Sequence, residues 1–238
     1  MSARHGLLET ITDVFVPIHR DGHKFLALAA LVTLVAFLLW TPLGTLCALI
    51  TAWIVYFFRD PERVTPLREG LVISSADGKI SAIESVRPPP ELGFPPDENR
   101  VRISVFLSIF DVHINRAPVA GRIKRSVYVP GSFVNAGSDK SSEDNERRAL
   151  VFETHNGVEV GVTQIAGLIA RRIVTFAKEG DSLGAGERFG LIRFGSRVDV
   201  YLPPDHSALV SVGQRAIGGE TVLADLQSSE PEREARQG

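Results

Sequence analysis

From Phe25 to Phe58 the chain carries no charged residue. A stretch of that kind is either buried on all sides or lies in lipid. Thr41-Pro42-Leu43-Gly44 interrupts it and leaves about sixteen apolar-rich residues on either side. A spanning helix needs roughly twenty, with a range of about 17–25. Each half is therefore marginal, although the flanking Lys24 and Arg59 extend its reach by snorkelling to the headgroups. The expected structure is a hairpin of two helices whose Pro-Gly turn returns the chain to its starting side. A signal peptide fits badly, because the run is long, starts late and is followed by no small-residue cleavage site. Arg4, Arg20 and Lys24 precede the hairpin, Arg59, Arg63 and Arg68 follow it, and its turn is uncharged. The positive-inside bias then places both ends in the cytoplasm. A shallow re-entrant hairpin and a buried soluble one are the rivals, and Trp40, Trp53 and Tyr56 suit an interface or a bundle equally.

Residues 1–24 form a polar segment. His5, His19 and His23 lie there without ligand-like spacing, and no metal site is assigned. After Asp60-Pro61 short apolar runs alternate with Gly and Pro. Val72–Ser74, Lys79–Val86, Val101–Leu107, Ile123–Val129, Leu150–Thr154, Val158–Ile165 and Arg172–Ala177 read as strands. Gly131 to Arg148 is a long polar loop of the sort that is disordered or belongs to a site. A helix is expected near Gly167–Ala170, and the residues from Ser229 onward read as a frayed tail. One internal repeat stands out: Gly180, Gly186-Glu187 and Phe189 recur as Gly213, Gly219-Glu220 and Val222, each 33 residues on. The first copy, Glu179 to Glu187, looks like the turn-strand unit of biotinyl and lipoyl carrier folds. Neither copy has the carrier lysine at its tip. The fold class assigned is mainly β, of α+β type: a duplicated barrel-sandwich-hybrid-like β domain over residues 59–228, behind a membrane-associated helical hairpin over 25–58.

A net charge of −2 gives no electrostatic case for nucleic-acid binding. The single cysteine, Cys47, excludes an internal disulfide and a cysteine-based zinc site, and in its apolar run it is a small hydrophobe.

Two further strands, Gly190–Phe194 and Arg197–Leu202, meet at the step Gly195-Ser196, and Pro203-Pro204 closes the second. Gly-Ser occurs three times in the chain, at 131–132, 137–138 and 195–196, so the dipeptide alone carries nothing. Asp77 before Gly78 is by residue type a turn residue. His113, in Asp-Val-His-Ile-Asn, reads as a packed or hydrogen-bonded histidine. Arg171 and Arg172 could bind a phosphate or carboxylate, or one could face solvent while the other pairs with an acid.

The context of these residues changes their weight. Arg188 through Pro203 resembles the self-cleavage site of the phosphatidylserine decarboxylase family in its short bacterial and archaeal form. Ser74-Ser75-Ala76-Asp77-Gly78-Lys79-Ile80, Phe110-Asp111-Val112-His113-Ile114-Asn115-Arg116-Ala117-Pro118, and Gln164-Ile165-Ala166-Gly167 through Arg171-Arg172 look like further family motifs, in family order. The likeness covers about residues 20 to 225.

That resemblance implies a chain cleaved between Gly195 and Ser196 into fragments 1–195 and 196–238 that stay associated. Ser196 Oγ would attack the Gly195 carbonyl in an N→O acyl shift. A neutral serine needs a base, and the base an orienting group. The family's Asp-His-Ser order falls on Asp77, His113 and Ser196. β-Elimination of the ester and hydrolysis would leave a pyruvoyl group derived from Ser196, with no metal and no pyridoxal phosphate. Its ketone would form a Schiff base with the serine headgroup amine and act as the electron sink while CO₂ leaves. His113 would then be the proton donor, and Arg171 and Arg172 weak substrate-binding residues. The implied substrate is a membrane phospholipid, phosphatidylserine, converted to phosphatidylethanolamine at the cytoplasmic face of the inner membrane. An archaeal-type ether-lipid serine head would react identically, a membrane-anchored β-sandwich adaptor would need none of the three residues, and homo-oligomerisation stays open. Two positions depart from the longer family members: Phe110 stands where they carry a second histidine, and Arg197 replaces their threonine.

Overall fold

The computed structural model describes residues 16–131, 145–167, 172–193 and 196–228, together with 230, 231, 233, 235 and 236. The expected helix near Gly167–Ala170 lies, beyond Gly167, outside the described residues. The chain divides into two compact units, Met1–Glu62 and Arg63–Gly238.

In the first unit, helices α1 (His23–Leu39) and α2 (Thr41–Phe57) are joined at Trp40, whose extended backbone (φ −164°, ψ 119°) lets the second helix start at once. Pro42 sits in the first turn of α2, where its missing N–H is harmless. Gly44 allows the helices to touch, since a Cβ there would lie 2.8 Å from Phe37 Cα. Thr33 and Thr51 hydroxyls meet across the pair at 2.9 Å. The chain ends before and after the hairpin are hydrogen-bonded, Asp60 N to Pro17 O at 2.7 Å and His19 N to Phe58 O at 2.8 Å. The return of the chain to its starting side is therefore as expected. Leu28, Leu31, Leu38, Leu46 and Leu49 point outward. The stretch Arg20–Leu39 is long and apolar enough to cross a membrane, whereas Thr41–Phe57 is shorter.

The second unit is built from thirteen described strands. Eight of them form one antiparallel sheet: β2 (Gly78–Val86), β3 (Arg100–Leu107), β5 (Gly121–Val129), β6 (Arg147–Glu153), β7 (Glu159–Ala166), β9 (Ser182–Leu183), β11 (Ser196–Tyr201) and β12 (Arg215–Ala216). Their order is β12-β2-β3-β11-β7-β6-β5-β9. β4 (Ile114–Arg116), β8 (Ile173–Thr175) and β10 (Arg188–Ile192) make a three-stranded sheet, and β1 (Leu71–Ile73) pairs with β13 (Val222–Asp225). Val105, Leu107, Leu150, Phe152, Val162, Phe189 and Val198 meet in the core. The mainly β body and the helical N-terminus agree with the expected class.

The repeat is structural as well. Gly180 N and Gly213 N donate to Ile123 O and Ile80 O, each at 2.8 Å, while Gly186 N and Gly219 N donate to Ala117 O and Ser74 O, also at 2.8 Å. All four glycines have φ between 77° and 94°, a region that disfavours any side chain. The eight-stranded order consequently reads as two halves, β12-β2-β3-β11 and β9-β5-β6-β7, joined where β11 meets β7.

Candidate active site

β2 begins, β3 ends, β11 begins and β7 ends at one edge of the large sheet. Ser196 stands opposite Leu107 on one side and Ala166 on the other. Lys79, two residues past Asp77, pairs with Phe106. Gly78 is needed there for close approach, since a Cβ would lie 2.8 Å from the Phe106 carbonyl carbon. Leu107 leads through the turn Ser108–Asp111 to His113, and His113 O accepts from Ile192 N at 3.3 Å. The fold thus carries Asp77, His113 and Ser196 to the same end of the sheet.

Each of the three has a defined setting. Asp77 Oδ2 accepts from Arg63 Nη2 at 2.7 Å and Oδ1 from Gly218 N at 2.8 Å. Burial pushes its carboxyl above the ordinary range, against the pull of the Arg63 guanidinium and the Gly218 N–H; nearby Asp111 pushes the same way as burial. His113 is fully buried, with Nδ1 2.9 Å from Asp111 O. A carbonyl oxygen only accepts, so Nδ1 carries the proton and Nε2 is the basic nitrogen of the neutral ring. Asp111 is itself held, its carboxylate accepting from Ser108 N at 2.8 Å and pairing with Arg215. The contact that orients the ring is therefore a main-chain carbonyl, and the Asp77 carboxylate is engaged by Arg63 and Gly218.

Ser196 is fully buried, and its Oγ has no hydrogen-bond partner among the described residues. Along β11 the side chains alternate. Arg197, Asp199 and Tyr201 occupy the other face, where Arg197 Nη2 donates to Asp199 Oδ2 at 3.1 Å. Burial, reinforced by Asp199, raises the Tyr201 phenol. Next to His113, Asn115 Oδ1 accepts from Gln164 Nε2 at 2.7 Å, and Arg116 N donates to Ser75 O at 2.9 Å. These contacts tie three of the sequence motifs together.

Gly195 and Arg171 lie outside the described residues. Arg172 is exposed, and its carbonyl accepts from Arg193 N at 3.3 Å, three residues before Ser196. Among the described residues no group of three or more His, Cys, Asp or Glu is placed to hold a metal.

A sequence profile described as phosphatidylserine decarboxylase matches residues 50–224. The chain belongs to the phosphatidylserine decarboxylase family. It is 56% identical over 216 residues, 90% of its own length and 98% of the relative's, to a protein of Ruegeria pomeroyi named phosphatidylserine decarboxylase proenzyme.

Within that family the step at 195–196 acquires a structural meaning. The two strands expected to meet there belong to different sheets: β10 pairs with β4 and β8, β11 with β3 and β7. A cut at the crossing between sheets removes no strand pairing. Arg63, Asp111 and Gly218 were not found by sequence reasoning. Two of them act through main-chain atoms, and Arg63 reaches Asp77 across 14 positions.

Proposed function

We propose that this chain is a self-processing decarboxylase of phosphatidylserine, cleaved between Gly195 and Ser196, whose working group is a pyruvoyl made from Ser196. The observation that carries the reading is the buried Ser196 hydroxyl, without a hydrogen-bond partner among the described residues, at the head of a central strand and at the sheet end that also holds His113 and Asp77. A buried hydroxyl without a partner costs stability, and such a cost is tolerated where the group reacts. β-Elimination would carry Oγ away on the new Gly195 carboxylate, and hydrolysis would release the Ser196 nitrogen as ammonia. That would leave a methyl group where the buried hydroxyl stood and a ketone oxygen where the nitrogen was. A methyl group needs no hydrogen-bond partner, so the setting fits a pyruvoyl group.

In self-cleavage, His113 Nε2 takes the proton of Ser196 Oγ as the oxygen adds to the Gly195 carbonyl, and returns it to the departing amide nitrogen. The carbonyl of Asp111 keeps the ring in the required tautomer. The Arg63 and Gly218 contacts favour the ionised form of Asp77 against the upward push of burial, and in that form it stabilises positive charge on the site as the histidine protonates. The pyruvoyl group supplies a ketone that takes up the substrate amine and accepts electrons as the carboxylate departs as CO₂. His113 then holds the proton for the product carbon, and Arg172, with Arg171, offers positive charge to the phosphate or carboxylate.

After cleavage the fragment 196–238 keeps β11, β12 and β13, each paired with strands of the larger fragment. It stays in place without a covalent link. The helical hairpin, basic at both ends, holds the enzyme at the inner membrane with its β unit on the cytoplasmic face. Intact-mass measurement of the purified protein tests the reading. Two polypeptides are expected, the smaller blocked at its first residue by a hydrazine-reactive ketone. A single intact chain with an ordinary serine at 196 would end the proposal.

A further inference from the structure

Around the Ser196 end of the sheet lie four large apolar side chains that the chemistry above does not use. Ile109 and Phe110 are 38% and 59% exposed, and Val212 and Ile217 are 62% and 39% exposed. Three of them come from two tight turns. Asp111 N to Ser108 O (3.0 Å) closes the first around Ile109-Phe110, and Gln214 N to Ser211 O (3.1 Å) closes the second around Val212. The ion pair between Asp111 and Arg215 ties these turns together. Ile217 precedes Gly218, which donates to Asp77. The rim is therefore continuous with the site.

Two basic side chains flank it. Lys79 is exposed, and Arg215 remains largely exposed while it pairs with the buried Asp111. Exposed apolar side chains on short rigid turns, flanked by cations, match the interface of an anionic bilayer: the apolar groups enter the acyl boundary and the cations meet headgroup charge. A protein groove would instead call for a shaped pocket, and these side chains project from convex turns.

We infer that the Ser108–Asp111 and Ser211–Gln214 turns form a second membrane contact, separate from the apolar hairpin, that presses the Ser196 end of the sheet against anionic phospholipid. This deepens the decarboxylase reading and rests on it for its purpose, because a site that draws a lipid headgroup gains from having the bilayer surface at its mouth. The occupant is the bilayer surface itself; a second copy of the chain is an outcome the test separates.

The test uses the full chain in a Cys47→Ser background, reconstituted in vesicles of phosphatidylcholine and phosphatidylglycerol. Single cysteines replace Phe110, Val212 or Asn156, the last lying in the exposed turn between β6 and β7, and carry an environment-sensitive dye. Dyes at 110 and 212 should be quenched by nitroxide-bearing lipid and shielded from aqueous iodide, with the reverse at 156. Iodide quenching at 110 and 212 without nitroxide quenching would overturn the inference. So would shielding from both quenchers, which would mean that protein covers the rim. Lys79→Glu should weaken the nitroxide effect about fivefold in apparent lipid affinity. Val212→Asp should raise KM about fivefold for substrate presented in vesicles and leave self-cleavage unchanged. The quenching reads no turnover. A protein that shows it but stays uncleaved would remove the decarboxylase reading and leave the membrane contact standing.

Discussion

The two halves of the duplicated sheet end in nearly the same backbone and in opposite chemistry. At one end Gly78 packs under the Phe106 carbonyl, and at the other Gly121 packs under the Glu153 carbonyl, a Cβ in either place lying 2.8 Å from the carbonyl carbon. Lys79 pairs with Phe106 as Arg122 pairs with Glu153. Continuing that register sets Asp77 against Ala120 and Gly218 against Ala185. It also sets Ser196, opposite Leu107, against Val158, whose carbonyl accepts from Thr154 N at 2.9 Å. Where one half has carboxylate, bare backbone N–H and hydroxyl, the other has two methyl groups and an isopropyl. A cavity of about 430 Å³ opens beside Ala120, Thr154, Val158 and Ala185. The lesson is that the duplicated scaffold supplies the close-packed glycine and the strand ends, while reactivity comes from a few side chains placed on one copy only.

The comparison breaks most sharply at Ser196. Ser196→Ala should abolish self-cleavage, giving one band and one intact mass, whereas Val158→Ser should leave cleavage at 195–196 unchanged and create no second cut. A new fragment ending at Gly157 would mean that backbone geometry alone suffices. The next largest effect belongs to the base. His113→Gln should slow the appearance of the small fragment by roughly 10²–10⁴-fold. His155, exposed in the turn at the other end, should tolerate the same change with no effect on the time course.

Much of the scaffold was legible because its signals are local. Uncharged residues broken by Pro and Gly specify the hairpin, and glycines spaced 33 apart mark turns that require positive φ. Strand β4 was passed over, since three residues, Ile114–Arg116, carry no alternation to read. The two-residue strands β9 and β12 are likewise too short, and they exist only as pairings on the outer edges of β5 and β2, whose inner edges pair with β6 and β3. The Gly-Ser step reads as a meeting of neighbouring strands, and only the tertiary pairing reveals a crossing between sheets. In the site, the resemblance of the surrounding motifs pointed to Asp77, His113 and Ser196, which residue type alone leaves as a turn acid, a packed histidine and one of three Gly-Ser steps. Nothing pointed to the Asp111 carbonyl, because every residue has one and sequence does not say which faces the ring.

Arg63 sharpens the contrast between the ends, for Asp77 is the acid whose ionised form the proposed mechanism uses. Burial raises its pKa, and Arg63 is the largest influence against it, followed by the Gly218 N–H, with Asp111 pushing upward. Arg63→Ala should therefore raise that pKa further and move the acid limb of the cleavage-rate profile to higher pH. Cleavage should be slowed most on the acid side and recover as pH rises, and Arg63→Lys should restore most of it. A folded pKa above the unfolded one means that the ionised acid costs stability once pH exceeds the folded value, and nothing below the unfolded value. Arg63→Ala should accordingly lower Tm more at neutral pH than in acid. An acid limb that stays in place would show that Asp77 is held by burial and main-chain contact alone.

The smallest effect is expected from the ion pair that closes the β1–β13 strand pair, beside the cavity. Arg68 Nη2 meets Asp225 Oδ2 at 2.6 Å, with the arginine more than half exposed. That hydrogen bond, with a second from Gln227 N, holds the Asp225 carboxyl below its usual range. Solvent screens such a pair, so Arg68→Ala should cost at most about 1 kcal/mol. A depressed carboxyl contributes stability above its unfolded pKa and loses it as pH falls through the folded value. The difference in Tm between Arg68→Ala and the parent should thus be small at neutral pH, shrink with added salt and vanish in acid. Self-cleavage should proceed at the parental rate throughout, since Ser196 pairs with Leu107 and Ala166 and with neither β1 nor β13. A slowed cleavage in Arg68→Ala would mean that the β1–β13 pair governs the reactive end of the large sheet.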